Sequence, residues 1–291
     1  MYSSLNIYDK QLSIKAKTVD SPNAAYQRMA TFWPLIEDLL AGSVKIKQEH
    51  RKYLFPEPRE STESYDSRLN RSAVVPYFQR IEKMLAGMLT RKSVRLEDVS
   101  DTVLQQLFDI DLEQNDLNVW LFNTARIAIS FGHVGVLVDA PKEGDKTRPY
   151  WVTYKPSDIL GWRTEIINGI RELTQVRLLE NVVEPDGKYG EKIITQIRVL
   201  ERGKYEIHRK DDKRSGFRLY DQGQMSLKDK IPFSVAYSNR IGFFESRSPL
   251  YDIAELNLKH YQIQSDLDNI LHISSVPNLV VYGYPNADEI T

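Results

Sequence analysis

Three observations predict an α+β fold for this chain of 291 residues. Helical patterns occupy much of residues 21–131, the spacing of apolar residues then changes to strand-like alternation from Gly132 to about Asn239, and a long helical pattern returns at Ser248. The strand-rich stretch is broken by turn signals at short intervals, so it reads as an antiparallel meander.

The elements follow in order. Residues 1–22 carry no clean period and read as an arm. "SPNAAYQRMATFWPLIEDLLAG" predicts the first helix, with Ser21 as cap, Pro22 at the first helical position, Gly42 as stop, and Pro34 kinking or splitting it. After the turn-rich "YLFPEPRES" and "ESYDSRLNRS", Phe78, Ile81, Leu85, Met88 and Leu89 recur at helical spacing, and "SVRLED" reads as strand. "DTVLQQLFD" and "LNVWLFNTARIAISFG" predict two more helices. Strands are then expected in "HVGVLVDAP", "RPYWVTYKPSDILGWR", "GIRELTQVRLLENVVE", "KIITQIRVLERG", "KYEIHRK", "GFRLYD" and "IPFSVAYSN", with "PDGKYG" and "DQGQ" as turns. A helix capped by Ser248 with Pro249 behind it closes the pattern, before the strand-like "PNLVVYG".

Composition narrows the classes. Hydrophobic residues at 41% and charged residues at 27% are ordinary for globular proteins. No apolar run reaches the roughly 18 residues of a membrane span. The first residues lack the apolar core of a signal peptide, and there is no cysteine, so a protein made and used inside a cell is expected. The net charge of −1 argues against a dedicated nucleic-acid gripper, which would carry a basic surplus.

Chemical motifs are sparse. There is no phosphate loop, dinucleotide fingerprint, nucleophile elbow or two-histidine zinc-protease spacing. The loop "DIDLEQND" alternates Asp109, Asp111 and Glu113 like a calcium loop. However, Gln114 stands where the sharp turn needs glycine and Trp120 where a bidentate glutamate belongs, so a solvated interhelical loop is the better reading. His133 lies between glycines, which a helix-to-strand corner explains. The basic run "RGKYEIHRKDDKR" sets Arg202, Lys204, Arg209, Lys210, Lys213 and Arg214 on a possible phosphate-contacting surface, although a solvated hairpin tip is the simpler account.

The closing helix is the most informative stretch. His260, Asp266, Asp268 and His272 invite a metal reading, with Asp268 and His272 sharing a face and Asp266 pointing away. The ligands do not converge, so neither a metal nor any catalytic or cofactor-binding residue is assigned. An enzyme is not expected; a metal-dependent phosphohydrolase or nuclease built on His260, Asp268 and His272 is the alternative. Apolar residues spread around most of this helix, from Leu250 to Ile273, as in a helix packed on several sides. Asp252, Glu255, Asp266 and Asp268 outnumber Lys259, so it would not hold phosphate.

"PLYDIAELNLKHYQIQSDLDNILHISSVPNLVVYG", with "FGHVGVLVDAP", "RPYWVTYKPSDILGWR" and "AAYQRMATFWPLIEDLLAG", resembles the portal (head-to-tail connector) proteins of tailed bacteriophages, from about Ala24 to Gly283. The resemblance implies a portal-like α+β subunit with an N-terminal arm (1–22) and a wing of helices followed by a β-rich meander (23–240). A stem helix (248–274) and the start of a clip (275–291) would complete it. Members of that family continue through a second stem helix, a channel loop and a crown, whereas this sequence stops at "YPNADEIT", so a shortened or truncated chain is expected.

By the same likeness the subunits form a ring, normally a homododecamer, at the portal vertex of the virion, assembled in the host cytoplasm. The ring would conduct double-stranded DNA, held transiently and without sequence preference, during packaging and ejection. It would also touch the major capsid protein, the large terminase and head-tail adaptor or neck proteins. No cofactor and no membrane is implied. Asp252, Glu255, Lys259, His260, Asp266, Asp268 and His272 would lie at subunit interfaces or toward the channel. Another virion neck or adaptor protein is the neighbouring alternative.

Overall fold

The computed structural model describes residues 18–139, 148–210 and 216–275. They divide into two compact units, one drawn from Met1–Glu37 and Gln79–Asp252, the other from Asp38–Phe78 and Ile253–Thr291. The fold is α+β, with antiparallel sheets and a helix at its C-terminal end.

The helical first part runs α1 (Ala24–Ala30), α2 (Trp33–Ala41), α3 (Ser43–Gln48), α4 (His50–Tyr53), α5 (Thr62–Arg71), α6 (Tyr77–Leu89), α7 (Asp101–Gln106) and α8 (Leu117–Phe131). The expected split falls just ahead of Pro34, between α1 and α2. The cap is not Ser21: Asn23 accepts from the Tyr26 N–H and starts the helix two residues later. Ser21 instead meets Thr18 through its hydroxyl. "SVRLED" forms no strand. Its Val94 and Leu96 alternate, but no neighbouring strand pairs with them and both stay exposed.

Strands follow from β1 (His133–Asp139), which pairs antiparallel with β2 (Tyr150–Tyr154) and β8 (Phe233–Tyr237). The expected meander is present as a five-stranded sheet in sequence order, β3 (Ile159–Ile167), β4 (Ile170–Asp186), β5 (Gly190–Glu201), β6 (Lys204–Lys210) and β7 (Phe217–Gln224). The short β9 (Arg240–Gly242) and β10 (Glu245–Ser246) pair with each other. "DQGQ" lies within β7 and is no turn. Gly223 is needed there because a Cβ would come within 2.8 Å of the Tyr205 ring on the paired strand.

The core of this unit lies between the two larger sheets. Leu137, Tyr154 and Phe233 from one meet Ile159, Val176, Leu178 and Leu200 from the other. On the opposite face of β1, Val136 packs on Ile110, Leu117 and Trp120. A polar bolt joins the sheets. Arg198 sits 2.7 Å from Asp139 and 2.8 Å from Glu180, and Tyr154 and Gln196 donate to the same Glu180 carboxylate. Burial opposes the Arg198 charge, but Glu180 and Asp139 outweigh it and hold its pKa above the ordinary arginine value.

The glycines flanking His133 are structural. Gly132 closes α8 in the left-handed conformation at φ 98°, and a Cβ on Gly135 would collide with Phe233. His133 itself is buried against the Ser246 hydroxyl at 2.6 Å.

Candidate interaction surface on the C-terminal helix

α9 (Tyr251–Ser274) has 24 residues and spans about 36 Å at the α-helical rise. Ser248 starts it as the sequence suggests, its hydroxyl accepting from the Leu250 N–H at 3.1 Å. The side chains it buries are Ala254, Asn257, Tyr261 and Ser265, which recur every three or four residues and so form one stripe. Apart from Ala254, each is polar or carries a polar tip.

Residues 53–78 supply the partners of this face. Asn257 accepts from the Phe78 N–H and donates to the Val75 carbonyl, both at 2.9 Å, which satisfies backbone groups around Pro76 that begin α6. Gln262 donates to the Tyr53 carbonyl. Ser265 meets the Ser72 hydroxyl at 2.8 Å, and Arg71 donates to Asn269 at 3.0 Å.

Arg68 is the centre of the clasp. Its side chain is 2% exposed, it forks onto both oxygens of Glu60 at 2.8 and 2.7 Å, donates to the Phe55 carbonyl, and reaches Ser265 at 3.4 Å. The guanidinium holds the Glu60 carboxyl below the usual carboxylate range. A second fastening lies at Asp38, which accepts from Tyr53 and Lys52. Burial works against that carboxylate, yet the two hydrogen bonds keep its pKa low.

The other face of α9 is the reverse of a soluble amphipathic helix. Leu256, Ile263, Leu267, Ile270, Leu271 and Ile273 are all exposed, Leu256 at 64% and Ile270 at 62%. At about 100° per residue, Leu256, Ile263, Leu267 and Ile270 centre nearly opposite the Asn257–Tyr261–Ser265 stripe. Packing on several sides is therefore not what this chain provides for α9. It clasps the polar side and leaves the aliphatic side in water. Contiguous exposed apolar surface of this kind marks an interaction site.

The residues singled out from sequence occupy different places. Asp252, Glu255, Lys259, Asp266 and His272 are exposed. Asp266 lies 3.8 Å from Arg68. Asp268 accepts from Gln264 at 2.8 Å, while His260 stands edge-on to the Tyr77 ring. His260, Asp268 and His272 thus do not meet. Among the described residues no group of three or more His, Asp or Glu converges as a metal site.

The calcium-like loop is held by its own backbone, Asp109 accepting from the Gln114 N–H and Asp111 from the Glu113 N–H. Half of the basic run is paired: Arg202 with Glu172, Lys204 with Glu201, and Arg209 with Glu184 while lying 3.6 Å over the Tyr220 ring. Lys210 is exposed, and Lys213 and Arg214 lie outside the described residues.

Asn257, Tyr261, Ser265 and Arg68 were not apparent as site residues from the sequence. The signal was present in part: Asn257, Tyr261 and Ser265 sit four apart, a polar stripe inside an aliphatic helix.

Residues 249–291, which contain this helix, match a protein family described as a domain of unknown function, DUF4055. No curated protein matches the chain. No helix among the described residues is long and apolar enough to cross a membrane.

Proposed function

We propose that the chain is a subunit of a phage portal ring, a structural assembly protein that conducts double-stranded DNA at one capsid vertex. In this role it also offers a docking surface to the terminase and to neck proteins. The observation that carries the reading is the inverted polarity of α9, whose polar side is buried within the chain and whose aliphatic side is exposed. A subunit of a closed assembly must present such a side to its neighbours, because each copy needs apolar surface that no element of its own covers.

The charge distribution supports the same reading. A conduit must let DNA slide, so a strong overall basic surplus does not suit it. The net charge is −1, and Arg202, Lys204 and Arg209 are paired. The sequence resemblance to portal proteins spans the same helix and supplies the vertex, the DNA and the protein partners.

Antibody labelling of intact particles tests the function. Label confined to a single capsid vertex, and lost together with packaged DNA when the gene is deleted, is the expected result. Label spread over the capsid shell, or found on the tail fibres, overturns it.

A further inference from the structure

We infer that the exposed face of α6 is the surface that receives α9 of the next copy, so that the chain associates head to tail through two different, oppositely charged faces. The inference rests on the ring reading and specifies which surfaces meet.

α6 buries Phe78, Glu82 and Ala86, and Glu82 is taken by Arg126 at 2.8 Å. Arg80, Lys83, Met84, Gly87 and Met88 follow one another along its other side at helical spacing; Leu89 ends the helix, and Arg91, Lys92 and Arg95 follow in the irregular segment beyond it. Met84, Met88 and Leu89 are 58%, 66% and 70% exposed. Among residues 79–96 the sole acid is the buried Glu82, so this face combines Met84 and Met88 with the cations Arg80 and Lys83, and three more cations follow the helix. None of the five has an ion pair among the described residues. Gly87 sits in the middle of the stripe, and a Cβ there would have nothing within 4 Å, which leaves open space where a side chain from another helix can seat.

The exposed side of α9 is the complement. Leu256, Ile263, Leu267 and Ile270 are bordered by the exposed acids Asp252, Glu255 and Asp266; Lys259 stands among them, and Arg247 and Arg68 lie 3.9 and 3.8 Å from Asp252 and Asp266. Pairing α9 with α9 would set acid against acid, and α6 with α6 base against base. Pairing α6 with α9 sets apolar against apolar and opposite charge against opposite charge. A contact between two different faces repeats from copy to copy and closes as a ring when its rotation permits. Nucleic acid is the less suitable occupant of α6, since Met84 and Met88 would be buried against phosphates.

Charge exchange in the full gene product tests the assignment. Arg80→Glu/Lys83→Glu reverses the charge of the α6 face, and Asp252→Lys/Glu255→Lys reverses that of α9. Each double variant, melting like the parent by circular dichroism, is expected to weaken association at least tenfold and to sediment as a monomer at low salt. An equimolar mixture of the two is expected to reassemble, because each then offers the other opposite charge on both faces.

Parent rings with both variants still forming rings would overturn the face assignment and leave the ring reading standing. A parent that is itself monomeric would overturn both. Intact rings from Arg80→Glu/Lys83→Glu that no longer retain a DNA duplex would reassign the α6 face to nucleic acid and so also overturn the proposal.

Discussion

Arg68 shows how one residue sets the orientation of a whole helix. A buried guanidinium that forks onto Glu60, caps the Phe55 carbonyl and touches Ser265 contributes little net stability against an apolar replacement, but removing it strands its partners. Arg68→Ala is expected to destabilise the chain by roughly 3–5 kcal/mol in urea unfolding, and Arg68→Lys, which keeps the charge and loses the fork, by less. Equal losses for the two would show that the fork, not the charge, is what matters.

His133 gives a pH dependence. Burial pushes its imidazole down to about 4 from the ordinary 6.5, so the folded chain keeps it neutral while the unfolded chain takes up a proton. Its contribution is complete above about pH 6.5 and is lost as the pH falls toward about 4, at up to about 1.4 kcal/mol per pH unit. Unfolding free energies at pH 7 and pH 5 should differ by less in His133→Gln than in the parent. An unchanged difference would assign the acid sensitivity to other groups.

At the scale of elements, α9 has two faces with opposite energetic roles. Tyr261→Ala on the clasped face is expected to cost roughly 3–5 kcal/mol of chain stability, as for other large buried aromatics. Ile263→Gln/Ile270→Gln on the exposed face should change the stability of the single chain by no more than about 0.5 kcal/mol and yet abolish association. Thermal melts of dilute monomer together with sedimentation at higher concentration separate the two effects. A large loss of monomer stability from the isoleucine variants would place that face inside the chain.

Much at this scale was legible in the sequence, including the Ser248 start of α9, the break at Pro34, the Gly132 corner and the meander. The side of α9 that turns inward was not, because burial rules favour aliphatics inside and here Asn257 and Ser265 take that place through hydrogen bonds to distant residues, with Tyr261 buried between them. "DQGQ" misled for a related reason. Gly223 serves a close ring contact from Tyr205 on the neighbouring strand, which composition alone cannot distinguish from a turn.

At the scale of the molecule, the second unit combines Asp38–Phe78 with Ile253–Thr291, segments separated by the whole of the β-rich region. A grouping that closes over so long a span leaves no local pattern. It depends on pairs such as Arg71 with Asn269 and Ser72 with Ser265, which no spacing rule links. The C-terminal helix is thus fastened by residues of the N-terminal half, and its aliphatic side stays exposed.

Native mass spectrometry of the full gene product, supported by electron micrographs of the same sample, tests the ring most directly. A single assembly at a fixed integer multiple of the subunit mass, seen as closed rings with a central channel and lost in Ile263→Gln/Ile270→Gln, is the predicted result. A monomer mass at every concentration, or open filaments in place of rings, would contradict it.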